Sequence, residues 1–269
     1  MTAQRPVAVV TGASRGIGEA IAHALLQRGY IVYALCRSKP ALDDIIHLPC
    51  DLTDGRQIDV CFAQIRSQQK TIDLLVNNAG MGIAGPLEMC EQSDADALMQ
   101  INVHACIRCC ARALPVMREH GRGRIVFISS LAARFPIPFQ AYYSASKAAV
   151  GVLAEALRME VHPFGVEVTT LYLGDVRTGF TDHRQKAPAD AVYGTRMTRS
   201  VTKMERDERN GLPPRAVAQC LMRMLRRRRL PQSRVVGMQY KLFWWCERML
   251  PRRCVLSIVQ KMYDGPGNG

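Results

Sequence analysis

The fold is decided by residues 7–18, which read Val7-Ala8-Val9-Val10-Thr11-Gly12-Ala13-Ser14-Arg15-Gly16-Ile17-Gly18. The first four are apolar, a pattern typical of a strand buried on both faces of a parallel sheet. A turn with three glycines follows, and residues 17–28 then carry apolar side chains at helical spacing until Gly29. The stretch therefore predicts a buried strand, a tight turn and a helix, in that order.

The glycine turn suits an anionic ligand. Glycines let a diphosphate approach the backbone closely, and a helix N-terminus adds unpaired N–H groups and a partial positive charge. The spacing Gly12-x-x-x-Gly16-x-Gly18 differs from the commoner Gly-x-Gly-x-x-Gly. A second interpretation, a tight turn that serves close packing, stays open until other motifs are considered.

Strands and helices alternate along the rest of the chain. Apolar runs predict further strands at residues 31–35, 45–48, 72–76, 124–128, 166–172 and 234–238. Helical spacing predicts helices over 58–68, 94–120 and 143–162, with Pro115 as a kink or break in the second. Such alternation predicts an α/β fold, a doubly wound parallel sheet of about seven strands with helices on both faces. Residues 1–269 are expected to form one domain with a C-terminal helical extension.

Composition argues against several other classes of protein. Hydrophobic residues make up 48% of the chain, yet no apolar run is long enough to span a membrane, and residues 1–6 lack the features of a signal peptide. A cytoplasmic protein is therefore expected, and its ten cysteines need no disulfide framework. Cys106, Cys109 and Cys110 are interpreted as small apolar helix residues rather than metal ligands, and no metal site is predicted.

Two further motifs join the glycine turn. They are Asn77-Asn78-Ala79-Gly80, after the predicted fourth strand, and Tyr143-Ser144-Ala145-Ser146-Lys147, at the start of a long helix. In this order the three motifs resemble the short-chain dehydrogenase/reductase family, over about residues 6–180. The resemblance implies a Rossmann-type fold and hydride transfer with a nicotinamide dinucleotide.

Tyr143 is the predicted acid/base. Lys147 lies one helical turn further on, so the two side chains share a face, whereas the neighbouring Tyr142 has no lysine at that spacing. A tyrosine ordinarily ionises at about pH 10. A nearby ammonium and an oxidised nicotinamide would favour the phenolate, which would then exchange a proton with an alcohol oxygen.

Two more residues complete the catalytic set that the resemblance implies. Ser130 follows the predicted fifth strand and would hydrogen-bond the substrate oxygen; Ser129 is the adjacent alternative. Asn102, within the predicted helix 94–120, would hold a water that links the lysine to solvent. The predicted catalytic residues are thus Asn102, Ser130, Tyr143 and Lys147.

The end of the second strand indicates which nicotinamide cofactor is used. Family members that prefer NAD place an acidic residue there, but this chain reads Cys36-Arg37-Ser38-Lys39. Arg37, together with Arg15 of the glycine turn, would pair with a 2′-phosphate, so NADP(H) is expected. The predicted cofactor-binding residues are Gly12, Ser14, Arg15, Gly16, Ile17, Gly18, Arg37, Asp51, Leu52, Asn78, Ala79, Gly80, Tyr143, Lys147, Val176 and Thr178.

One segment departs from the family pattern. After the predicted sixth strand the family has Pro-Gly and then a threonine, whereas this chain reads Leu173-Gly174-Asp175-Val176-Arg177-Thr178. Val176 and Thr178 are kept and would contact the nicotinamide amide. Asp175 and Arg177 place charge near the expected mouth of the pocket.

The C-terminal quarter is strongly basic. Residues 196–264 hold 17 Lys/Arg and 5 Asp/Glu, a net charge of +12 out of +13 for the chain. The polar residues 181–212 are predicted to form a substrate lid, and residues 240–263 to form two basic amphipathic helices around Pro251. Three interpretations of these helices stay open: packing on the body or a second subunit, a flap over an apolar substrate, and docking on an anionic membrane surface.

A long C-terminal extension resembles family members that act on lipid-like alcohols. The sequence therefore predicts an NADP(H)-dependent oxidoreductase of a hydrophobic ketone or secondary alcohol, with a steroid or bile-acid hydroxyl as the first expectation. The alternative is a long-chain oxo-lipid or retinoid, and the competing class is a non-catalytic nucleotide-dependent binding protein. Expected partners are a small hydrophobic substrate, further copies in a homodimer or homotetramer, and a membrane surface, but no specific nucleic acid.

Overall fold

The computed structural model describes residues 5–188 and 192–264, which form a central parallel sheet covered by helices. The strands are β1 (Val7–Thr11), β2 (Ile31–Cys36), β3 (Ile46–Pro49), β4 (Leu74–Asn77), β5 (Ile83–Ala84), β6 (Gly123–Ser130), β7 (Val166–Leu173), β8 (Gln185–Lys186) and β9 (Ser233–Val236). Seven of them form the main sheet in the order β3-β2-β1-β4-β6-β7-β9, and β5 pairs with β8 in a small second sheet.

Helices cover both faces of the main sheet. Their bounds are α1 (Gly16–Leu26), α2 (Gly55–Gln68), α3 (Gln92–Met99), α4 (Ala105–Glu119), α5 (Ala141–Val161), α6 (Gly194–Arg209), α7 (Pro214–Leu225), α8 (Met238–Met249) and α9 (Arg252–Asp264). Side chains of α2, α4 and α5 form the core on one face, and those of α1 and α7 form the core on the other. The predicted doubly wound α/β fold with a C-terminal helical extension is confirmed. None of the helices in the described residues has the length and apolar character needed to cross a membrane.

The central strand β1 shows why the apolar run at residues 7–10 forms this sheet. Val7 and Val9 point into the core on one face, whereas Ala8 and Val10 point into the other, and all four are fully buried. Burying each valine side chain contributes about 1.5–3 kcal/mol, and the β-branched side chains favour the extended backbone. Because both faces are covered, the run is continuous rather than alternating.

The strand order creates a crevice beside β1. The chain first builds β2 and β3 on one side of β1, and then crosses over to build β4 on its other side. Connections leave β1 and β4 in opposite directions, so the carboxyl ends of these two strands open a groove where doubly wound sheets bind their ligands. The glycine turn after β1 and the Asn77–Gly80 segment after β4 both lie at this point.

One predicted helix differs in detail from the structure. The helix expected over 94–120 is interrupted at Gln100–His104, which forms a wider π-helical turn between α3 and α4, while Pro115 lies inside α4 without ending it. Helix α7 ends at Leu225, before the basic run of residues 226–229, and Arg124 of β6 donates hydrogen bonds to the carbonyls of Leu225 and Arg227. The basic run therefore lies in the turn that follows α7.

Candidate active site

One cavity of about 1000 Å³ lies at the carboxyl ends of the strands and joins the glycine turn to the Tyr143 region. It is lined by nearly all of the residues predicted from sequence, which come from seven separate segments of the chain. These are Gly12, Ser14, Arg15, Gly16, Ile17, Arg37, Asp51, Leu52, Asn78, Ala79, Gly80, Ser130, Tyr143, Lys147, Val176 and Thr178. Gly18 and Asn102 do not line the cavity.

Gly18, expected among the cofactor-binding residues, has a packing role instead. A Cβ atom at this position would lie 2.2 Å from the carbonyl oxygen of Gly12 and 2.6 Å from the Asn78 amide nitrogen. Glycine is therefore required for the first turn of α1 to lie against the turn that precedes it. For Gly18, the third glycine of the motif, the interpretation that the glycine serves close packing is therefore the one the contacts support.

The other two glycines shape a cradle for a diphosphate. Gly12 and Gly16 have φ angles of +65° and +61°, which residues with a Cβ rarely adopt. Arg15, the residue that precedes α1, makes no side-chain cap to the helix, so the N–H groups of the first turn are left for a ligand. A Cβ at Gly16 would lie 3.3 Å from Thr178, so the two sides of the groove come within contact distance. These features fit a dinucleotide.

Thr11 ties the two halves of this groove together. Its buried hydroxyl accepts hydrogen bonds from the backbone N–H groups of Asn78 and Ala79, at 2.9 and 3.0 Å. The Asn78 side chain in turn donates to the carbonyls of Thr11 and Gly12. The segment after β4 is thereby held in one conformation against the glycine turn. The sequence marked Thr11 as part of a motif but assigned it no role.

Asn102 does not line the cavity but holds in place a segment that does. Its side-chain oxygen accepts from the Met81 N–H at 2.8 Å, and its amide nitrogen donates to the Met81 carbonyl and to the Ser146 hydroxyl. The π-helical turn directs this side chain inward between the β4–β5 connection and α5. Asn102 thus positions the segment beside Gly80. The predicted water between Asn102 and the lysine stays a prediction.

Tyr143, Lys147 and Ser130 come together at the centre of the cavity. The Lys147 ammonium lies 5.8 Å from the centre of the Tyr143 ring, on the same face of α5, and donates to the Ile128 carbonyl at 3.2 Å. The Ser130 oxygen accepts from the Ala132 N–H at 3.1 Å, which orients its hydroxyl. Ser129, the alternative, is buried and donates to the Lys147 carbonyl, so its hydroxyl is engaged within the protein.

The environment sets the protonation of these groups. Burial raises the pKa of Tyr143 to about 12, although hydrogen bonding with Ser130 lowers it. Burial also lowers the pKa of Lys147, since its charged form loses solvation. With no oxidised nicotinamide beside it, the tyrosine is therefore protonated at neutral pH. The phenolate, which the lysine and an oxidised nicotinamide together are expected to favour, stays a prediction.

Comparison with known proteins agrees with this geometry. The family model described as short chain dehydrogenase matches residues 6–189. This chain belongs to the short-chain dehydrogenase family. A 3-ketodihydrosphingosine reductase of Bacteroides thetaiotaomicron is 37% identical over 239 residues, which cover 87% of this chain and 88% of that protein.

Solved structures show that the likeness extends over the whole fold. A short-chain dehydrogenase from Streptomyces avermitilis has a TM-score of 0.83 at 29% identity, covering 99% of this chain and 100% of that one. A serine dehydrogenase solved with NADP+ has a TM-score of 0.74 at 25% identity, covering 86% and 94%. The dehydrogenase described here is accordingly an oxidoreductase that uses a nicotinamide dinucleotide, NAD(P)(H).

The adenosine end of the groove carries the two arginines noted in the sequence. Arg15 and Arg37 both line the cavity, and Arg15 lies 2.8 Å from a ring nitrogen of His183. Hydrogen bonds from the backbone and hydroxyl of Thr53 lower the pKa of Asp51. The adenosine end of the cavity therefore carries the ionised carboxylate of Asp51 as well as the two guanidinium groups.

Several cavity residues of the dehydrogenase were not foreseen as site residues. The Phe180 ring lies 5.8 Å from the Tyr143 ring, and the Tyr240 hydroxyl donates to the Asp175 carboxylate at 3.0 Å. No lysine or arginine of the described residues forms an ion pair with Asp175. Burial raises its pKa, and Asp207 and Glu208 raise it further. Asp175 stood out in sequence as a charge in an altered turn, but nothing there placed Tyr240 beside it.

The C-terminal helices complete the wall of the cavity. Side chains from α8, α9 and the residue Leu250 between them line it together with Tyr143, and most of them are apolar. They are Tyr240, Phe243, Cys246, Glu247, Leu250, Val255, Ile258, Val259, Met262 and Tyr263. His183, Gln185, Asp207 and Glu208, from the segment expected to form a lid, also line it; residues 189–191 of that segment lie outside the described residues.

Proposed function

We propose that this dehydrogenase uses NADPH to reduce the ketone of a long-chain 2-amino-3-ketone lipid, the class to which 3-ketodihydrosphingosine belongs. The observation that carries the proposal is a single cavity with three kinds of wall. Proton-donating groups lie at Tyr143 and Ser130, and apolar side chains of α8 and α9 form much of the remainder. Between these kinds of wall the cavity also contains the carboxylate of Asp175, which no lysine or arginine of the described residues pairs with. These match a carbonyl, an alkyl chain and an ammonium group. The relative named a 3-ketodihydrosphingosine reductase supports the same substrate class.

Tyr143 is the proton donor in this reaction. Its pKa of about 12 keeps the phenol protonated at neutral pH, which suits the reductive direction. The Ser130 hydroxyl donates a second hydrogen bond to the carbonyl oxygen and polarises the carbonyl. As the new alcohol takes the proton from Tyr143, a negative charge forms on the phenolate, and the Lys147 ammonium stabilises it.

The nicotinamide, when bound, supplies the hydride that reduces the carbonyl carbon. The Gly12 and Gly16 cradle with the N-terminus of α1 would hold the diphosphate, and Val176 and Thr178 would hold the nicotinamide amide. Asn102 and Thr11 act as positioning residues, because they fix the segment on which Gly80 lies.

NADP(H) is the preferred cofactor in this proposal. Arg15 and Arg37 line the same part of the groove, at the ends of β1 and β2, where no acidic residue occupies the last position of β2. A guanidinium pair would bind a 2′-phosphate, and it would gain little from the hydroxyl of NADH. The serine dehydrogenase solved with NADP+ supports this choice.

Asp175 is the group that would recognise the substrate ammonium. It lines the same cavity as Tyr143 and Ser130, so a cation beside it would share that cavity with the reacting carbonyl. Glu208 is already paired with Arg184, and Asp207 with Lys203 at 2.7 Å, which leaves Asp175 as the carboxylate in need of a counter-charge. A bound ammonium would restore the ionised form that burial disfavours.

The experiment is a panel of ketones with purified protein and NADPH, followed as the loss of absorbance of the reduced nicotinamide. 3-Ketodihydrosphingosine, its N-acetyl derivative, an oxo-steroid and a retinoid aldehyde are compared. We expect the free amine to be reduced with the highest kcat/KM, and the N-acetyl derivative more slowly. Equal rates with the free amine and the N-acetyl derivative would refute the role of Asp175. Preference for the oxo-steroid would instead support a steroid or bile-acid substrate, the first expectation from the sequence. A homodimer or homotetramer and a cytoplasmic location stay predictions.

A further inference from the structure

Helix α8 carries an apolar stripe on its outer side. Met238, Leu242, Trp245 and Met249 are spaced four, three and four residues apart, so they lie one above another on a single face. Their exposed fractions are 78%, 64%, 60% and 68%. We call these four residues the outer stripe of α8. Large apolar side chains aligned in this way on a solvent-facing helix mark an interaction surface.

The opposite side of α8 is fixed to the protein. Tyr240 is buried against β7 and β9, and the centre of the Trp244 ring lies 4.6 Å from that of Tyr172, with the two rings tilted at 40°. Glu247 accepts hydrogen bonds from Arg134 at 3.0 Å through both carboxylate oxygens. The helix is therefore held in one orientation by three side chains, and this orientation is what leaves the outer stripe in solvent.

Basic residues border the outer stripe. Lys241 and Arg248 are seven residues apart and lie along one edge of it, while the first residues of α9, Arg252 and Arg253, follow directly after Pro251. The acidic residue of α8, Glu247, faces inward and is neutralised by arginine. The outer side of α8 is thus apolar in the middle and positive at its border.

The mouth of the cavity opens beside the same surface. Phe243 and Leu250 follow the outer stripe residues Leu242 and Met249 by one position, and both line the cavity while 46% and 40% of their surface is exposed. Ile258 and Met262 of α9 likewise belong both to the cavity wall and to the exposed surface. Together with Phe243 and Leu250 they are the exposed large apolar residues of the described chain that line the cavity. A molecule at the outer stripe would therefore be adjacent to the substrate entrance.

We propose that the outer stripe of α8 docks on an anionic lipid bilayer, with Trp245 at the level of the headgroups. An amphipathic helix with an aromatic residue in its apolar face and a basic border is the combination that binds in the plane of such a surface. A second copy of the chain fits less well. Residues 196–264 carry most of the excess positive charge, so two copies joined through this surface would bring like charges together.

Docking would give the cavity a direct supply of a membrane-resident substrate. This consequence rests on the proposed lipid substrate, but the docking itself does not. The test therefore measures binding rather than turnover, so failure of the reductase proposal and failure of the docking proposal give different results.

The experiment is flotation of the full chain with vesicles of phosphatidylcholine, with and without phosphatidylglycerol, at low and high salt. The double variant Leu242→Ser/Trp245→Ser removes the apolar contact, and Lys241→Glu/Arg248→Glu reverses the border. Matched controls are Val60→Ser/Val152→Ser, which alter equally exposed valines on α2 and α5, and Arg56→Glu/Lys70→Glu, which make the same charge change elsewhere. None of the four altered α8 residues lines the cavity.

We expect the wild type and both controls to float with anionic vesicles. Binding should fall about tenfold or more in the serine variant. In the charge variant it should fall by at least about fivefold for each basic residue, since each contributes about 1 kcal/mol near such a surface and the glutamate that replaces it is repelled. Reduction of a water-soluble ketone should be unchanged in all variants, which shows that they are folded. Trp245→Phe should still float but lose the blue shift of tryptophan fluorescence that vesicles produce.

Three results would overturn the proposal. One is the absence of flotation by the wild type; another is equal loss in the control variants. The third is a wild-type dimer in sedimentation analysis that the serine variant converts to monomer, without vesicle binding, because the stripe would then be a subunit interface.

Discussion

The groove around the glycine turn and the wall formed by α8 and α9 belong to one cavity, but they are built differently. In the groove, hydrogen bonds to the backbone fix the geometry: the Thr11 hydroxyl holds two N–H groups, and Asn102 holds both polar groups of Met81. In the C-terminal wall, side chains such as Val259, Ile258 and Met262 face the cavity without such bonds, and several are also exposed to solvent.

The difference teaches where this protein tolerates change. A hydrogen-bonded backbone turn has one working geometry, so substitutions there should affect every substrate and cofactor. An apolar helical wall works by area and shape, so substitutions there should alter the choice of substrate by modest factors. The following predictions test this contrast, from the largest expected effect to the smallest.

Tyr143→Phe should lower kcat by about 100- to 10,000-fold with every ketone, because the proton donor is removed while the ring remains. The adjacent Tyr142→Phe, which lies outside the cavity, should keep full activity. Steady-state kinetics with NADPH measures both. Comparable activity in the two variants would remove Tyr143 from the mechanism.

Thr11→Val should lower the free energy of unfolding by about 2 kcal/mol or more, because two buried N–H groups lose their acceptor. Thr169→Val is the matched control. Thr169 is also a buried strand threonine, but its hydroxyl has no hydrogen-bond partner within the described structure. Chemical denaturation should find the control neutral or slightly more stable, and equal losses in both would show that the Thr11 bonds contribute little.

Arg37→Ala should raise the KM for NADPH about tenfold and leave that for NADH unchanged, since a charge-assisted bond to the 2′-phosphate is lost. Lys39→Ala is the control, because Lys39 is exposed and lies 3.9 Å from Asp43 rather than in the cavity. Initial rates with both cofactors give the comparison. A parallel rise for NADH would mean that Arg37 serves the whole dinucleotide.

Ile258→Ala should raise the KM for a long-chain ketone about fivefold, because about 1 kcal/mol of apolar contact is lost at a partly exposed position. A short ketone should be reduced as before. Leu256→Ala, two residues earlier on α9 and outside the cavity, should change neither value. An equal effect of Ile258→Ala on short and long ketones would contradict a chain-binding wall.

Asp175 should make the native state relatively less stable as the pH rises. Burial raises its pKa above the ordinary value of 3.8, so between these two pKa values the native state binds more protons than the unfolded state. Stability from this group is therefore highest at low pH and is lost as the pH rises through the raised pKa. In thermal unfolding, the stability of the wild type relative to Asp175→Asn should fall as the pH rises from about 4 through the raised pKa of Asp175. A constant difference would show that the native pKa is unshifted.

Much of the groove was predictable because its residues are close in sequence or fixed by helical spacing. Thr11 to Gly18 are contiguous, and Tyr143 and Lys147 are one turn apart, so local geometry alone places them together. The family resemblance supplied the remaining positions, and the structure brings all of them to the cavity except Gly18 and Asn102. Both lie next to the cavity: Gly18 allows α1 to pack against the glycine turn, and Asn102 holds the segment at Met81 in place.

The substrate side was less predictable because it depends on contacts between distant segments. Asp175 and Tyr240 are hydrogen-bonded across 65 residues, and neither carries a periodic or motif signal that points to the other. The π-helical turn at Gln100–His104 was equally hard to predict, because the segment contains no residue that breaks helices. Its Asn102 side chain instead makes hydrogen bonds with Met81 and Ser146, which are distant in sequence.

The sequence by itself determined the sheet, the dinucleotide groove and the tyrosine–lysine pair of this protein, because these follow from local apolar periodicity, glycine conformation and spacing along one helix. It also determined the amount of basic charge in residues 196–264 and the amphipathic pattern of the last two helices. The tertiary structure decided which way those helices face. Anchoring of Tyr240, Trp244 and Glu247 turns one side of α8 to the cavity and leaves its outer stripe in solvent, and long-range packing of this kind leaves no mark in any short stretch of sequence.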